Sequence, residues 1–236
     1  MRRTVQRATL WMILGAVVLT ATELRGQDAR STIAVLPFEN SGSYGQDREA
    51  FDALAVGLPA ILGATLAAHP GVAVVERSRL DQTLSQQKLA AAHRLDASSA
   101  TEIAKATGAR YAVSGSFADF YGKFRINARV VDAQTGQILK VVSNDDPKLQ
   151  DRAQLGAIIQ LVADRLVGAI GLPPYPPDVA ARRRAVSTDA LTEFSRGLMY
   201  ERRGDRAKAA EAYQRALSSA PDLDEARSGL QRVKAG

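Results

Sequence analysis

The chain has 236 residues, with 31 Lys and Arg against 25 Asp and Glu, a formal charge of +6 and no cysteine. That length suits one ordinary domain with a small annex, and the missing cysteines exclude disulfides, thiolate metal sites and a lipid-bearing amino-terminal cysteine. Four arginines and one glutamate fall within residues 1–26, so the rest carries only +3, which weakens any case for nucleic-acid binding.

Arg2, Arg3 and Arg7 precede an apolar run from about Leu10 to Ala21, and polar residues follow. This basic, apolar, polar order is that of a secretory signal peptide over residues 1–26, with cleavage expected after Gly26 or Ala21. The run is shorter than the roughly 20 apolar residues that cross a bilayer, so a retained anchor is the lesser alternative. The expected location is the periplasm, including the periplasmic side of the outer membrane, with membrane contact no more than peripheral.

Next comes "STIAVLPFEN", a short β-forming apolar run closed by Pro37 and the "NSGSYGQD" loop, read as a buried strand. From Arg48 to Ala68 the period turns helical, with Phe51, Leu54, Leu58, Ile61, Leu62, Thr65 and Leu66 on one broad stripe. Pro59 lacks a donor for the preceding turn and should kink or restart that helix. "GVAVVE" is a second strand, running into "SRLDQTLSQQKL", where Ser78 and Asp81 resemble a capping pair and Leu80 and Leu84 share a face, with Leu89 near it. A helix over about Ala97 to Thr107 follows Asp96 and stops at Gly108.

"ARYAVSGSFADF" and "KFRINARVVD" read as strands joined through Tyr121-Gly122. In the second, Phe124, Ile126, Ala128 and Val130 point one way, Arg125, Asn127 and Arg129 the other. The "AQTGQ" turn leads to "ILKVVS", and a long helix is expected from about Asp151 to Ile170. "GLPPYPPDVA" holds four of the nine prolines, which suggests a stiff, extended linker at a domain boundary. The helix-bearing crossovers favour parallel pairing and the two short turns an antiparallel end, so the fold class is α/β, a mixed sheet of about five strands covered by helices.

The stretches "IAVLPFEN", "VAVVERSRLDQTLSQQKL", "GARYAVSGSFADF" and "RINARVVDAQTGQIL" occur in that order. On them, the segment 31–172 resembles the envelope family that includes the curli secretion component CsgG and HfaB, and more loosely the FlgO-like and TolB amino-terminal-like domains. The resemblance implies a periplasmic α/β domain that binds or assembles. Curli-type pores look lipid-anchored and carry extra membrane-inserting hairpins. Here cysteine is absent, and the two turns are too short to house strands of about 9 to 11 residues.

The carboxy-terminal piece, after a linker over 173–186, is similar to one tetratricopeptide repeat, whose unit is about 34 residues. With Pro221 as the closing proline, Gly197, Tyr200, Gly204, Asp205, Ala209, Tyr213, Ala216 and Leu217 take the small, aromatic and turn positions. Leu223, Ala226, Leu230 and Val233 are spaced for a capping helix, completing an all-α unit over 187–236. The expected packing and partner-binding positions are Gly197, Tyr200, Gly204, Ala209, Tyr213, Ala216 and Pro221. One face of such a lone hairpin needs a cover: the α/β domain, a second copy, or a partner.

No catalytic set stands out. His69 and His93, the only histidines, read as surface residues near a helix end and in a polar connection, not as metal ligands. "NSGSYGQD" lacks phosphate-loop spacing, and Asp145, Asp146 and Asp151 suit a helix entry better than a calcium loop. In "ARRRAV" a solvated linker end outweighs contact with an anionic partner, and Arg125 and Arg129 fit a binding face or a merely soluble one. No enzyme activity, cofactor or metal is expected. The expected role is a protein-protein interaction or assembly factor of the bacterial envelope, bound to other envelope proteins through the repeat, or a subunit of an oligomeric outer-membrane secretion channel. A second copy is a candidate partner; nucleic acid is not.

Overall fold

The computed structural model describes residues 30–43, 47–87, 95–145, 148–183 and 185–235; Leu89, His93 and Asp146 lie outside them. Strands β1 (Ser31–Asn40), β2 (Val72–Val74), β3 (Tyr111–Phe120), β4 (Lys123–Asp132) and β5 (Ile138–Ser143) form a mixed sheet in the order β2-β1-β3-β4-β5. β1 pairs in parallel with β2 and β3, whereas β3-β4 and β4-β5 are antiparallel, as the connection lengths require. A two-residue strand β6 (Gln150–Asp151) pairs with the start of β4. Asn144 joins the two halves of that ladder: its amide donates to Phe124 O at 2.9 Å, and its Oδ1 accepts from Ile126 N at 2.6 Å.

Alternation along β4 sorts the core into two layers. Phe124, Ile126, Ala128 and Val130 enter the larger layer with helices α1 (Arg48–Ala67) and α4 (Leu155–Ala169), whereas Val131 enters a smaller layer with α2 (Arg77–Gln86) and α3 (Ala97–Thr107). Asp96 caps α3 by accepting from Ser99 N at 2.8 Å, and Gly108 ends it at φ +70°. The expected Ser78 and Asp81 cap is not formed: α2 starts one residue earlier, after Glu76, without a side-chain cap. α1 runs unbroken through Pro59. The long helix begins at Leu155, because residues 150–154 pair with β4 and then make a 3-10 turn that Asp151 caps at Ala153 N.

Asp132 closes the turn after β4. Its Oδ1 accepts from Gln134 N, Thr135 N and Arg110 at 2.7, 3.1 and 2.9 Å. Burial would raise its pKa, but the two backbone donors and the Arg110 guanidinium hold it below the usual carboxylate range. A depressed pKa contributes stability above the ordinary carboxylate range that disappears as pH falls through the folded-state value. Asp132→Asn should therefore cost about 2 kcal/mol at pH 7 and flatten the loss of stability below about pH 4. Urea midpoints measured from pH 7 to pH 3 check both.

The proline-rich segment is ordered against the domain. It contains a short helix α5 (Pro177–Arg182), and Tyr175 is buried with its hydroxyl donating to Thr65 O at 3.0 Å. His69, expected at the surface, is only 2 % exposed. Its Nδ1 accepts from Gly71 N and its Nε2 donates to Pro173 O, both at 3.0 Å, and its ring meets Tyr175 edge-on. This pairing ties the segment to the turn before β2, because an imidazole buried with both nitrogens satisfied acts as a bolt. Arg183 is likewise no solvated linker end: it pairs with Asp164 at 2.7 Å and lies over the Tyr175 ring at 3.8 Å. Burial pushes the Tyr175 phenol up to about 12.

Helices α6 (Thr188–Arg202), α7 (Arg206–Ser219) and α8 (Asp224–Ala235) close the chain as an antiparallel hairpin with a third helix against it. The cover for α6 is α1. A Cβ added at Gly57 would stand 1.7 Å from Ser195 Oγ and 2.9 Å from Ser195 Cα, so the two helices meet at a glycine and a serine. Thus α1 is apolar on two sides because the sheet takes one and α6 the other; by length and composition alone it would pass for a membrane span. Leu191, Phe194 and Leu198 of α6 share one core with Leu54, Leu58 and Ile159.

Candidate functional site

A cleft of about 410 Å³ opens where the α/β layers meet the helical unit. Its floor is a stripe of α1, with Val56, Pro59, Ala60, Gly63, Ala64 and Ala67 at helical spacing, beside Val35 and Pro37 of β1 and Val74 and Val75 at the end of β2. α6 contributes Phe194, Leu198 and Arg202, spaced i, i+4, i+8 on one line. α8 adds Asp224, Glu225, Ser228 and Arg232, and α2 adds Arg77, Leu80 and Asp81. The floor is aliphatic and the charges stand at the mouth, the general form of a small-molecule site.

Those charges are unevenly paired. Arg202 lies 3.1 Å from Asp81 and Arg77 3.8 Å from the same carboxylate. Burial lowers the Arg77 pKa, Asp81 opposes that, and Arg202 adds to it, yet a guanidinium stays charged. Arg232 is held by Glu201 through two bonds of 2.9 and 3.1 Å. Burial acts to raise the Glu201 pKa, but the bonds from Arg232 and Tyr213 outweigh it and the net shift is downward. Asp224 is bonded to Arg227 on its own helix.

The seven positions expected from the repeat pattern lie elsewhere. Tyr213 is fully buried between Gly197 and Gly229, where an added Cβ would come within 2.5 and 2.4 Å of its ring. Its hydroxyl donates to Glu201 Oε2 at 2.5 Å, and burial and that carboxylate keep it protonated. Ala209 and Ala216 are buried between the helices, and Gly204 turns the chain at φ +78°. Tyr200 is half-buried and donates to Glu49 Oε1 on the first turn of α1 at 2.5 Å. Pro221 is exposed, with its carbonyl accepting from Arg227 at 2.6 Å. None of the seven lines the cleft. The missed signal was a second periodicity: small residues on α1 beside its large ones, and the 194, 198, 202 line on α6.

A second surface is the free edge of the sheet. β5 pairs with β4 on one side and has no strand on the other among the described residues. Ile138, Leu139 and Val141 of this edge are exposed, Val141 at 61 %. Arg125 and Arg129 on the neighbouring strand are half-buried, and Arg125 pairs with Asp145 at 2.9 Å. Among the described residues, no three His, Asp or Glu side chains converge as metal ligands.

The family model described as "Curli production assembly/transport component CsgG" matches residues 15–125. The chain carries a CsgG-like domain. Within the described residues that CsgG-like stretch supplies the floor of the cleft and its α2 wall, while α6 and α8 lie beyond the match. No curated protein matches the sequence. Among solved structures, the chain is similar to the LpoB C-terminal domain from Salmonella enterica, at 22% identity over 51% of this chain and 84% of that one, with a TM-score of 0.39. It is similar to TolB from Acinetobacter baumannii at 19% identity, over 62% of this chain and 30% of that one, with a TM-score of 0.41. For lipoprotein GNA1162 from Neisseria meningitidis the identity is 19%, the coverage 58% and 96%, and the TM-score 0.39.

Proposed function

We propose that this chain is a non-enzymatic periplasmic accessory of the bacterial cell envelope that works in assembly or secretion by docking other envelope proteins. The CsgG-like match supports an envelope assembly or interaction role. The observation that carries the reading is the β5 edge, where Ile138, Leu139 and Val141 are exposed beside an unpaired strand edge. Such an edge takes an extended segment of a partner through backbone hydrogen bonds, and proteins without a use for it blunt it with charge or proline. The single Lys140 is the only charge on this one. The helical unit is a single tetratricopeptide-like repeat whose missing neighbour is α1 of the same chain. It stiffens the scaffold and presents α7 and α8 as a second contact face.

The test places a photo-crosslinking residue at position 140 of the full chain in cells, with position 105 on the exposed face of α3 as the control. Crosslinks to another envelope protein are expected from position 140 alone and should vanish in Val141→Lys, which leaves the melting temperature within a degree or two because the site is exposed. Adducts only with a second copy of the chain would replace the partner by self-assembly. Equal adducts from position 105, or no effect of Val141→Lys, would refute the docking edge.

A further inference from the structure

The cleft between α1, α6 and α8 has a chemistry distinct from that of the β5 edge. Its floor is Val56, Ala60, Gly63 and Ala64 with Val35 and Val74, packed without gaps beneath: a Cβ at Gly63 would already touch Val74 and Val35 at 3.5 and 3.8 Å. A helix interior has its backbone groups bonded to each other, so this floor offers nothing to the N–H and C=O groups of a peptide, which are costly to bury unpaired. A run of methylenes needs no such partners, and each one buried contributes about 0.8 kcal/mol. The volume of about 410 Å³ falls at the small end of ligand sites.

Charge fixes the other end of the occupant. Arg77 and Arg202 converge on Asp81 where the start of α2 meets the end of α6, two guanidiniums on one carboxylate. Their side chains keep 35% and 30% of their surface exposed, so both can reach a group at the mouth. Asp224 and Glu225 repel an anion from the start of α8, and Arg232 is already held by Glu201. We propose that the cleft binds a free fatty acid, with its alkyl chain along the α1 floor and its carboxylate against Arg77 and Arg202.

The experiment titrates the full chain with laurate, dodecanol and dodecylamine below their micellar concentrations, by isothermal calorimetry. Laurate is expected to bind one to one, at least tenfold more tightly than the alcohol or the amine. Arg77→Gln combined with Arg202→Gln should bring laurate to the level of dodecanol while leaving dodecanol unchanged. Ala64→Phe should weaken both ligands tenfold or more; Ala67→Trp, at an exposed position on the same floor, does the same if the first variant fails to fold. Absence of saturable laurate binding, equal binding of dodecylamine, or binding indifferent to the floor substitutions would each overturn the assignment. The crosslinks from position 140 do not depend on any of these outcomes.

Discussion

Gly57→Ala is expected to lower the stability of the whole protein by about 3 kcal/mol, a large penalty for one methyl group. An ordinary overpacked site costs roughly 1 to 3 kcal/mol because neighbours rotate away. Here the new atom would meet Ser195 Oγ at 1.7 Å, Cβ at 2.4 Å and Cα at 2.9 Å, and a Cα on a packed helix can move only with the helix. Ser195 is itself fully buried, its hydroxyl donating to Leu191 O at 2.6 Å, so it has no space to retreat into. Removing the side chain in Gly57→Ala/Ser195→Gly should recover most of the loss despite the roughly 1 kcal/mol that glycine costs inside a helix. That gives a coupling energy well above additivity. Denaturant midpoints for the four members of the cycle measure it. A wild-type midpoint for Gly57→Ala would show that α6 does not rest on α1.

Tyr213→Ala is expected to cost about 3 to 5 kcal/mol, the range for deleting a buried aromatic side chain. The ring fills a slot whose two walls are glycines, Gly197 and Gly229, so no side chain stands ready to fall into the gap. Tyr213→Phe isolates the hydroxyl and should cost about 1.5 to 3 kcal/mol, the value of a bond to a charged acceptor. Glu201 keeps Arg232 in that variant and is not stranded. The informative readout is where the loss is felt. Because α6 and α1 share a core, hydrogen exchange should rise in β1 and α1 as well as in α6 to α8, as one cooperative unit. Exchange confined to residues 188–235 would mark the helical unit as an independent domain.

The parts of the fold legible in the sequence are those in which one residue pattern answers one neighbour. β4 alternates because one face meets α4 and the other does not, and α3 has both its cap at Asp96 and its stop at Gly108 written locally. The remainder escaped because one residue serves two neighbours. α1 carries a large-residue stripe for the core and a small-residue stripe for the cleft, and the first conceals the second in any single-period reading. The prolines around Tyr175 signal extension, but nothing local says that the tyrosine between them is buried against His69. His69 and Arg183 look like surface residues because polar side chains usually are. What buries them is a segment about a hundred positions away for one, and the Tyr175 ring and Asp164 for the other. The repeat pattern located the hairpin's interior well, around Tyr213, but a pattern made of packing positions points away from surfaces, and the cleft is one.

The double cover of α1 also sets a timetable. The ribosome releases α1 complete at Ala67, yet the helix that closes its second side begins at Thr188, 121 positions later. At the usual 5 to 20 residues per second, that is roughly 6 to 24 seconds during which a helix greasy enough to span a bilayer lacks half its shelter. The α/β layers can collect around the sheet in that interval, but the nascent chain must be held by a chaperone, or kept unfolded, until its last fifty residues arrive. Carboxy-terminal truncations should consequently show themselves as aggregation during synthesis before they show any defect in binding.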